Sequence, residues 1–323
     1  MVEIEFLDYT EDVYDIEVEN TNNFFANGIL VHNCNLVSVV ATNLVNKDDD
    51  FIKDVVYYSV LILDRSIDEG TAPVLEAEKA SKSLRNIGIG VVGLADYMAY
   101  NNKMYDKEDG QEFAEKFIEK IAYYSYSASN ELAKEYGSYP LFKPENYNKL
   151  LGRDPKELDK LSLNGFDWSG LAERIRKDGI RNFLLNAIAP NSSTGVLTNA
   201  VASYLPVYNK EMTQTLADLS VPIIPKFIEK KYWYYKTKYQ YHPADIIKFT
   251  ARIGKWIDTG LSMEININPS ICKINEISDA IINEMLNNHL KAVYYNLTID
   301  EYNKRNKNNK NNKGDKGCTD CAN

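Results

Sequence analysis

The stretch Phe183-Leu184-Leu185-Asn186-Ala187-Ile188-Ala189-Pro190-Asn191-Ser192-Ser193-Thr194-Gly195 sets a short apolar run against a proline and then a cluster of hydroxyl side chains. Phe183 to Ala189, closed by Pro190, reads most simply as a buried strand. Asn191, Ser192, Ser193, Thr194 and Gly195 then open a helix. Two readings of that opening stand side by side. The first turn of a helix leaves backbone N–H groups unpaired, and with hydroxyl donors beside them these make a natural phosphate site. The same residues are also ordinary helix caps, and the local sequence alone favours capping.

On either side of this switch, helical and strand-like segments alternate. Phe51 to Ile67 has helical spacing of apolar residues. Lys82 to Ala99 contains Ile87-Gly88-Ile89-Gly90-Val91-Val92-Gly93-Leu94. Its Gly88-x-Gly90-x-x-Gly93 pattern is a weak dinucleotide-binding signal without a preceding strand or a downstream acidic residue, and close helix–strand packing explains it better. Gln111 to Tyr136 is a strongly amphipathic helix with Phe113, Phe117 and Ile121 on one face and Gly137 as its stop. Ala244 to Leu261 and Ile277 to Leu290 are helical, and Lys291 to Tyr295 is β-like. The interleaving indicates an α/β architecture. Residues 303–317 are rich in Lys, Asn and Gly, bury no apolar area and read as a mobile linker. The linker leads to Cys318-Thr319-Asp320-Cys321.

Composition narrows the function. A net charge of −9, with no basic stripe outside the tail, argues against nucleic acid as a main partner. No apolar run approaches a membrane span and no signal peptide opens the chain, so a cytoplasmic protein is expected. Four cysteines, Cys34, Cys272, Cys318 and Cys321, are too few for a disulfide scaffold, and three histidines give no metal cluster. Cys318-x-x-Cys321 lacks the second ligand pair of a zinc site. Cys272 has no motif around it and reads as a buried, inert thiol.

Near the N-terminus, Val13-Tyr14-Asp15-Ile16-Glu17-Val18 alternates apolar and polar residues. Asn23-Phe24-Phe25-Ala26-Asn27-Gly28-Ile29-Leu30-Val31-His32-Asn33-Cys34 follows, with a turn at Asn27-Gly28 before Ile29-Leu30-Val31. The Tyr14, Ile16, Val18 alternation and the 29–31 run read as two short strands around a hairpin turn. The Asn33 amide can attack its own carbonyl, closing a succinimide and breaking the bond before Cys34. His32 can protonate the leaving nitrogen, and Cys34 offers a thiolate that accepts an acyl group first. The whole block resembles the C-terminal splicing block of an intein. With no N-terminal nucleophile upstream, the resemblance implies a split intein: residues 1–33 would be a short β segment of a Hint fold, removed by splicing in trans with a partner chain that carries the other half. Asn22 stands where similar inteins usually carry a histidine.

Residues 34–323 resemble the large subunit of class I ribonucleotide reductase. The resemblance is carried, in the family's order, by Cys34-Asn35-Leu36, by Arg85-Asn86-Ile87-Gly88-Ile89-Gly90-Val91-Val92-Gly93-Leu94-Ala95-Asp96, by Ala189-Pro190-Asn191-Ser192-Ser193-Thr194, by Leu290-Lys291-Ala292-Val293-Tyr294-Tyr295 and by Cys318-x-x-Cys321. It implies that residues 34–302 form the C-terminal part of a ten-stranded α/β barrel and that 303–323 form a flexible redox tail. Pro190, Asn191, Ser192, Ser193 and Thr194 would hold the diphosphate of a ribonucleotide, although Leu205-Pro206 stands where the family usually has Glu-Pro. Tyr294 and Tyr295 would relay a radical; on composition alone, in a chain with 23 tyrosines, they would be packing residues. Cys34 would be one of two cysteines that reduce the ribose and become a disulfide, which Cys318 and Cys321 would reduce by thiol exchange.

The resemblance also implies what must come from elsewhere. No cofactor is expected on this chain. The radical would come from a separate small subunit and its tyrosyl or metal centre, and final electrons from thioredoxin or glutaredoxin. The radical-bearing cysteine with its Asn and Glu, the second redox cysteine and the effector sites would lie on an N-terminal reductase fragment. The completed large subunit would form a homodimer. The competing readings are an unspliced chain bound non-covalently to that fragment, and an isolated redox module that uses only Cys318 and Cys321.

Overall fold

The computed structural model describes residues 23–26, 29–32, 35–70, 75–216, 219–287, 290–293 and 295–299. At the N-terminal end, strands β1 (Asn23–Ala26) and β2 (Ile29–His32) pair antiparallel, with Asn23 opposite His32 and Ala26 opposite Ile29. β2 covers the expected Ile29–Val31 strand, but its partner is Asn23–Ala26, and the Tyr14–Val18 alternation lies outside the described residues.

The body is built on parallel pairings that follow chain order. Strand β3 (Leu36–Val40) pairs in parallel with β4 (Gly88–Val92) along its whole length, Leu36 opposite Gly88 and Val40 opposite Val92. Beyond β4 comes the 184–188 segment. Ile89 pairs in parallel with Asn186, and Ile87 and Ile89 N–H donate to Leu184 and Leu185 O at 3.0 and 2.7 Å. Next is the 259–262 segment, where Ile188 pairs with Leu261 and Ser262 N–H donates to Ile188 O at 2.9 Å. That chain continues into β7 (Glu264–Ile267), after the separate antiparallel hairpin of β5 (Met212–Leu216) and β6 (Leu219–Ile223). Finally β7 pairs in parallel with β8 (Tyr295–Thr298), Glu264 opposite Tyr295. Helices separate successive strands, as parallel pairing demands.

Every residue of β4 is buried, the pattern of a parallel strand covered on both faces. The core around it draws on Ile89, Leu94, Met98, Ile118, Leu132 and Phe249, and Trp168 and Trp256 stack at 5.7 Å between ring centroids. Helix Asp49–Glu69 begins at Asp48, whose side chain accepts from Phe51 N–H, and packs on helix Glu108–Tyr136. The latter stops where expected, at Gly137, which has a positive φ of 79°. Its buried Glu115 pairs with Arg252 and Lys255, and its buried Glu119 accepts from Leu163 and Asn164 N–H.

Four expectations change. The glycine pattern serves strand-to-strand rather than helix-to-strand approach at its centre: a Cβ on Gly90 would lie 2.3 Å from Ala187 O. The helix expected over Ala244 to Leu261 is Pro243–Gly254; after it Asp258-Thr259-Gly260 turns the chain, and residues 259–262 take a strand position because Asn186 and Ile188 offer parallel partners. The helix expected from Ile277 to Leu290 is Ile274–Asn287, and the β-like segment is shifted from Lys291–Tyr295 to Tyr295–Thr298. Cys272 is buried as expected, its thiol on Asn268 O at 3.2 Å. No helix among the described residues is long and apolar enough to cross a membrane.

Candidate active site

Ile188, the last paired residue before the Pro190 loop, meets Leu261; three residues further along the same middle chain, Glu264 meets Tyr295. At about 3.3 Å per residue, Tyr295 sits about 10 Å beyond the level of Ile188, where the 190–194 loop begins. The loop and the start of β8 therefore lie on either side of the chain that runs from the Leu261 bridge into β7, at a similar height along it. Tyr295 is fixed there by its N–H, which donates to Met263 O at 3.1 Å.

The loop turns through Asn191, whose φ of 55° and ψ of 35° lie in the left-handed region that asparagine tolerates. Its side-chain amide donates to Ala189 O at 3.1 Å and Val91 O at 3.4 Å and makes no cap bond to the helix Ser192–Thr198. The capping reading thus loses its first candidate. Gly195 N–H bonds Asn191 O at 2.8 Å, and Gly195 is buried against Ala200 and Ala202, with no room for a Cβ. Pro190, Asn191, Ser192 and Thr194 are half-buried and Ser193 is exposed, so the loop faces outward from the end of the strands.

Two carboxylates that sequence reasoning gave no role, the half-buried Asp258 and the fully buried Asp96, hold this arrangement. Asp258, before the middle strand, accepts from Leu185 and Asn186 N–H, both at 2.8 Å, and from Tyr126 hydroxyl at 3.0 Å; burial pushes its carboxyl up. The ammonium of Lys291 donates to the carbonyls of Ile257, Asp258 (2.9 Å) and Thr259 (3.2 Å), and burial lowers its pKa. The 257–259 turn thus ties down both the strand leading to the loop and the segment leading to the tyrosine pair. Asp96, fully buried after β4, accepts from the backbone beyond the loop, and burial likewise raises its carboxyl. Asp96 and Lys291 both stood inside motif stretches; Asp258 stood in none, and its only signal was a carboxylate between apolar segments.

Beside Tyr295, Glu264 accepts from the Tyr208 hydroxyl and from Lys238, whose ammonium lies 3.6 Å from the Tyr208 ring centroid. Of the other residues singled out from the sequence, His32 ends β2, where the structure defines the backbone pairing. Asn33, Cys34, Tyr294, Cys318 and Cys321 lie outside the described residues. Asn35, next to Cys34, accepts from Gly88 N–H at 2.9 Å at the start of β3, the opposite end of the sheet from the loop. Among the described residues no three His, Cys, Asp or Glu side chains gather as a metal site would require.

With this geometry in view, comparison with known proteins gives the class. The chain matches the family described as "Ribonucleotide reductase, barrel domain" over residues 3–224 and 207–296. The chain belongs to that family. In particular, it is 36% identical over 247 residues to the ribonucleoside-diphosphate reductase subunit alpha of Synechocystis sp., covering 74% of this chain and 31% of that protein. It is 31% identical to the corresponding subunit of Helicobacter pylori strain 26695 (72% of this chain, 30% of that one) and 28% identical to ribonucleoside-diphosphate reductase 1 subunit alpha of Escherichia coli K12 (71% and 31%). The chain spans about a third of the length of these relatives.

Proposed function

We propose that this chain supplies the C-terminal part of the barrel of a ribonucleoside-diphosphate reductase large subunit, which reduces ribonucleotides to deoxyribonucleotides by radical chemistry. The observation that supports this reading is the placement of the Pro190–Thr194 loop and Tyr295 on either side of the chain that runs from the Leu261 bridge into β7, at a similar height. In this reading the loop binds the diphosphate through backbone N–H and hydroxyl groups. Tyr294 and Tyr295 carry the radical from the small subunit, because a phenol can lose an electron and a proton together. Cys34 and a cysteine of the N-terminal fragment give two electrons and two protons to the substrate and close as a disulfide, and Cys318 and Cys321 exchange with it. A thioredoxin-like protein then reduces the tail, and the completed subunit works as a homodimer.

The chain reaches that state by splicing at Asn33–Cys34. What supports this is the residue chemistry of His32-Asn33-Cys34, with His32 closing strand β2. The family match begins at residue 3, inside the segment that splicing would remove, so splicing and reductase membership are tested separately.

For the reductase reading, the chain is combined with the N-terminal fragment, the small subunit and a small dithiol, and deoxyribonucleotide formation is followed. Turnover that requires all components is expected. No turnover from a complex shown to be assembled and radical-loaded contradicts the reading. The non-covalent alternative is supported by turnover with Asn33 still joined to Cys34.

A further inference from the structure

We propose that Asp96 is the positioning residue of the 190–201 loop, holding it in register with the chain that follows the β5–β6 hairpin. Its functional meaning rests on the diphosphate reading of the loop; its physics rests on the contacts of one carboxylate.

Asp96 lies in helix Leu94–Tyr100, directly after β4, and is fully buried. Its Oδ2 accepts from Val201 N–H at 2.7 Å. Its Oδ1 accepts from Tyr235 hydroxyl at 2.7 Å and Lys226 N–H at 3.1 Å. Val201 is held at its other end too, because its carbonyl accepts from Gly93 N–H at 2.7 Å. Two residues nearer the loop, Asn199 ends helix Ser192–Thr198 in the left-handed region, and Ala200 N–H returns to Gly195 O at 2.9 Å. The exit of the loop is therefore bonded residue by residue back to Asp96.

The second arm is the hairpin. Lys226 leaves β6 by three residues, and its N–H meets the same carboxylate that holds Val201, while its ammonium reaches Thr42 Oγ1, just beyond β3, at 3.3 Å. Tyr235 closes the arrangement; its ring is buried, and its hydroxyl also faces Phe227 N–H at 3.4 Å. The charged and titratable groups facing Asp96 are Lys226, Tyr235 and the buried Tyr105.

Three donors converge on two oxygens, so the residue must accept at both. Asparagine keeps the shape but replaces one acceptor by an N–H₂ that would face a donor. A buried donor without a partner is costly, and most costly where the lost partner carried charge. The loss would fall on Val201, Lys226 and Tyr235 and on no strand pairing. Asp96→Asn is therefore expected to loosen the loop exit and the hairpin exit while the helical core stays intact.

The test is hydrogen exchange of the full chain, read by peptide mass, for wild type, Asp96→Asn and Tyr235→Phe, with and without inorganic pyrophosphate. In Asp96→Asn, exchange over 192–201 and 225–235 should accelerate on the order of tenfold or more, with residues 108–136 as protected as in wild type. Tyr235→Phe should act in the same direction and less. Pyrophosphate should slow exchange at 191–195 in wild type, and Asp96→Asn should weaken its apparent affinity on the order of fivefold or more, a change that a merely architectural carboxylate would not produce with the core unchanged. Wild-type exchange over 192–201 in a folded Asp96→Asn overturns the inference. If Asp96→Asn loses protection throughout, wild-type exchange over 192–201 in Tyr235→Phe overturns it instead. If pyrophosphate has no effect on wild type, the diphosphate reading fails, and the exchange rates of the variants still decide whether Asp96 positions the loop.

Discussion

Glu264 and Tyr295 are paired partners on neighbouring parallel strands, and the Tyr295 N–H bond to Met263 O fixes the second residue of the tyrosine pair at that register. The bond uses the backbone, so removing the phenol oxygen leaves it in place. Tyr295→Phe and Tyr294→Phe are each expected to abolish turnover in the reconstituted reductase with substrate affinity unchanged. Substrate binding measured beside deoxyribonucleotide formation checks this; turnover retained in either variant removes that residue from the relay.

Gly90 is where two strands come closest. A Cβ there would lie 2.3 Å from Ala187 O and 3.3 Å from Ile188 Cα, and both are backbone atoms of the strand leading to the loop. Gly90→Ala should cost about 3 kcal/mol, at the upper end of overpacking penalties. Gly137→Ala meets open space and is strained only by its backbone, φ 79° and ψ 163°, a region nearly confined to glycine, so it should cost about 2 kcal/mol. Denaturant titration of both variants compares them; equal costs would contradict the strand-approach reading.

Arg85, which opens one of the recognised motifs, is buried between Asp64 and Asp68. Its guanidinium hydrogen-bonds Asp68 at 2.7 and 2.9 Å and holds that carboxyl below its ordinary range. A lowered folded value means stabilisation that is present above the ordinary carboxylate pKa and lost as pH falls through the folded one. Asp68 is one-third exposed, so the contribution is discounted to about 1 kcal/mol. Asp68→Asn should cost that much at pH 7, and the difference from wild type should close below about pH 4. A difference that stays constant to pH 2, by denaturant titration across pH, would contradict it.

The tail cysteines carry a separable prediction. Cys318→Ser should leave splicing intact and should lose activity with a protein reductant while keeping it with a small dithiol. Steady-state rates with both reductants decide; equal loss with both contradicts the shuttle role.

Local sequence made the proline and the helix opening at 190–195 legible, because proline and a run of small hydroxyl residues impose them within a few bonds. Over Phe183–Ala189 the expected buried strand is reduced to two bridged residues, Asn186 and Ile188, and Phe183 is exposed. It made helix Glu108–Tyr136 legible through its apolar spacing and Gly137. It did not reveal that Leu261 bridges in parallel to Ile188, with Thr259 and Ser262 N–H bonded to the carbonyls of Asn186 and Ile188. Those residues, Thr259-Gly260-Leu261-Ser262, have little strand character of their own, and Asn186 and Ile188 supply the pairing from 73 residues away in the case of Ile188–Leu261. Asp96, Asp258 and Glu264 were silent for the same reason. Their meaning lies in donors distant in sequence, such as Tyr235 for Asp96 and Leu185 for Asp258, and a carboxylate carries no local mark of the donors that will meet it.

The most direct measurement is the mass of the products after the chain is mixed with its N-terminal partner. A ligated chain that begins its C-terminal portion at Cys34, together with a released 33-residue peptide ending in Asn33, is the predicted result. An active assembly in which Asn33 remains bonded to Cys34 would contradict it.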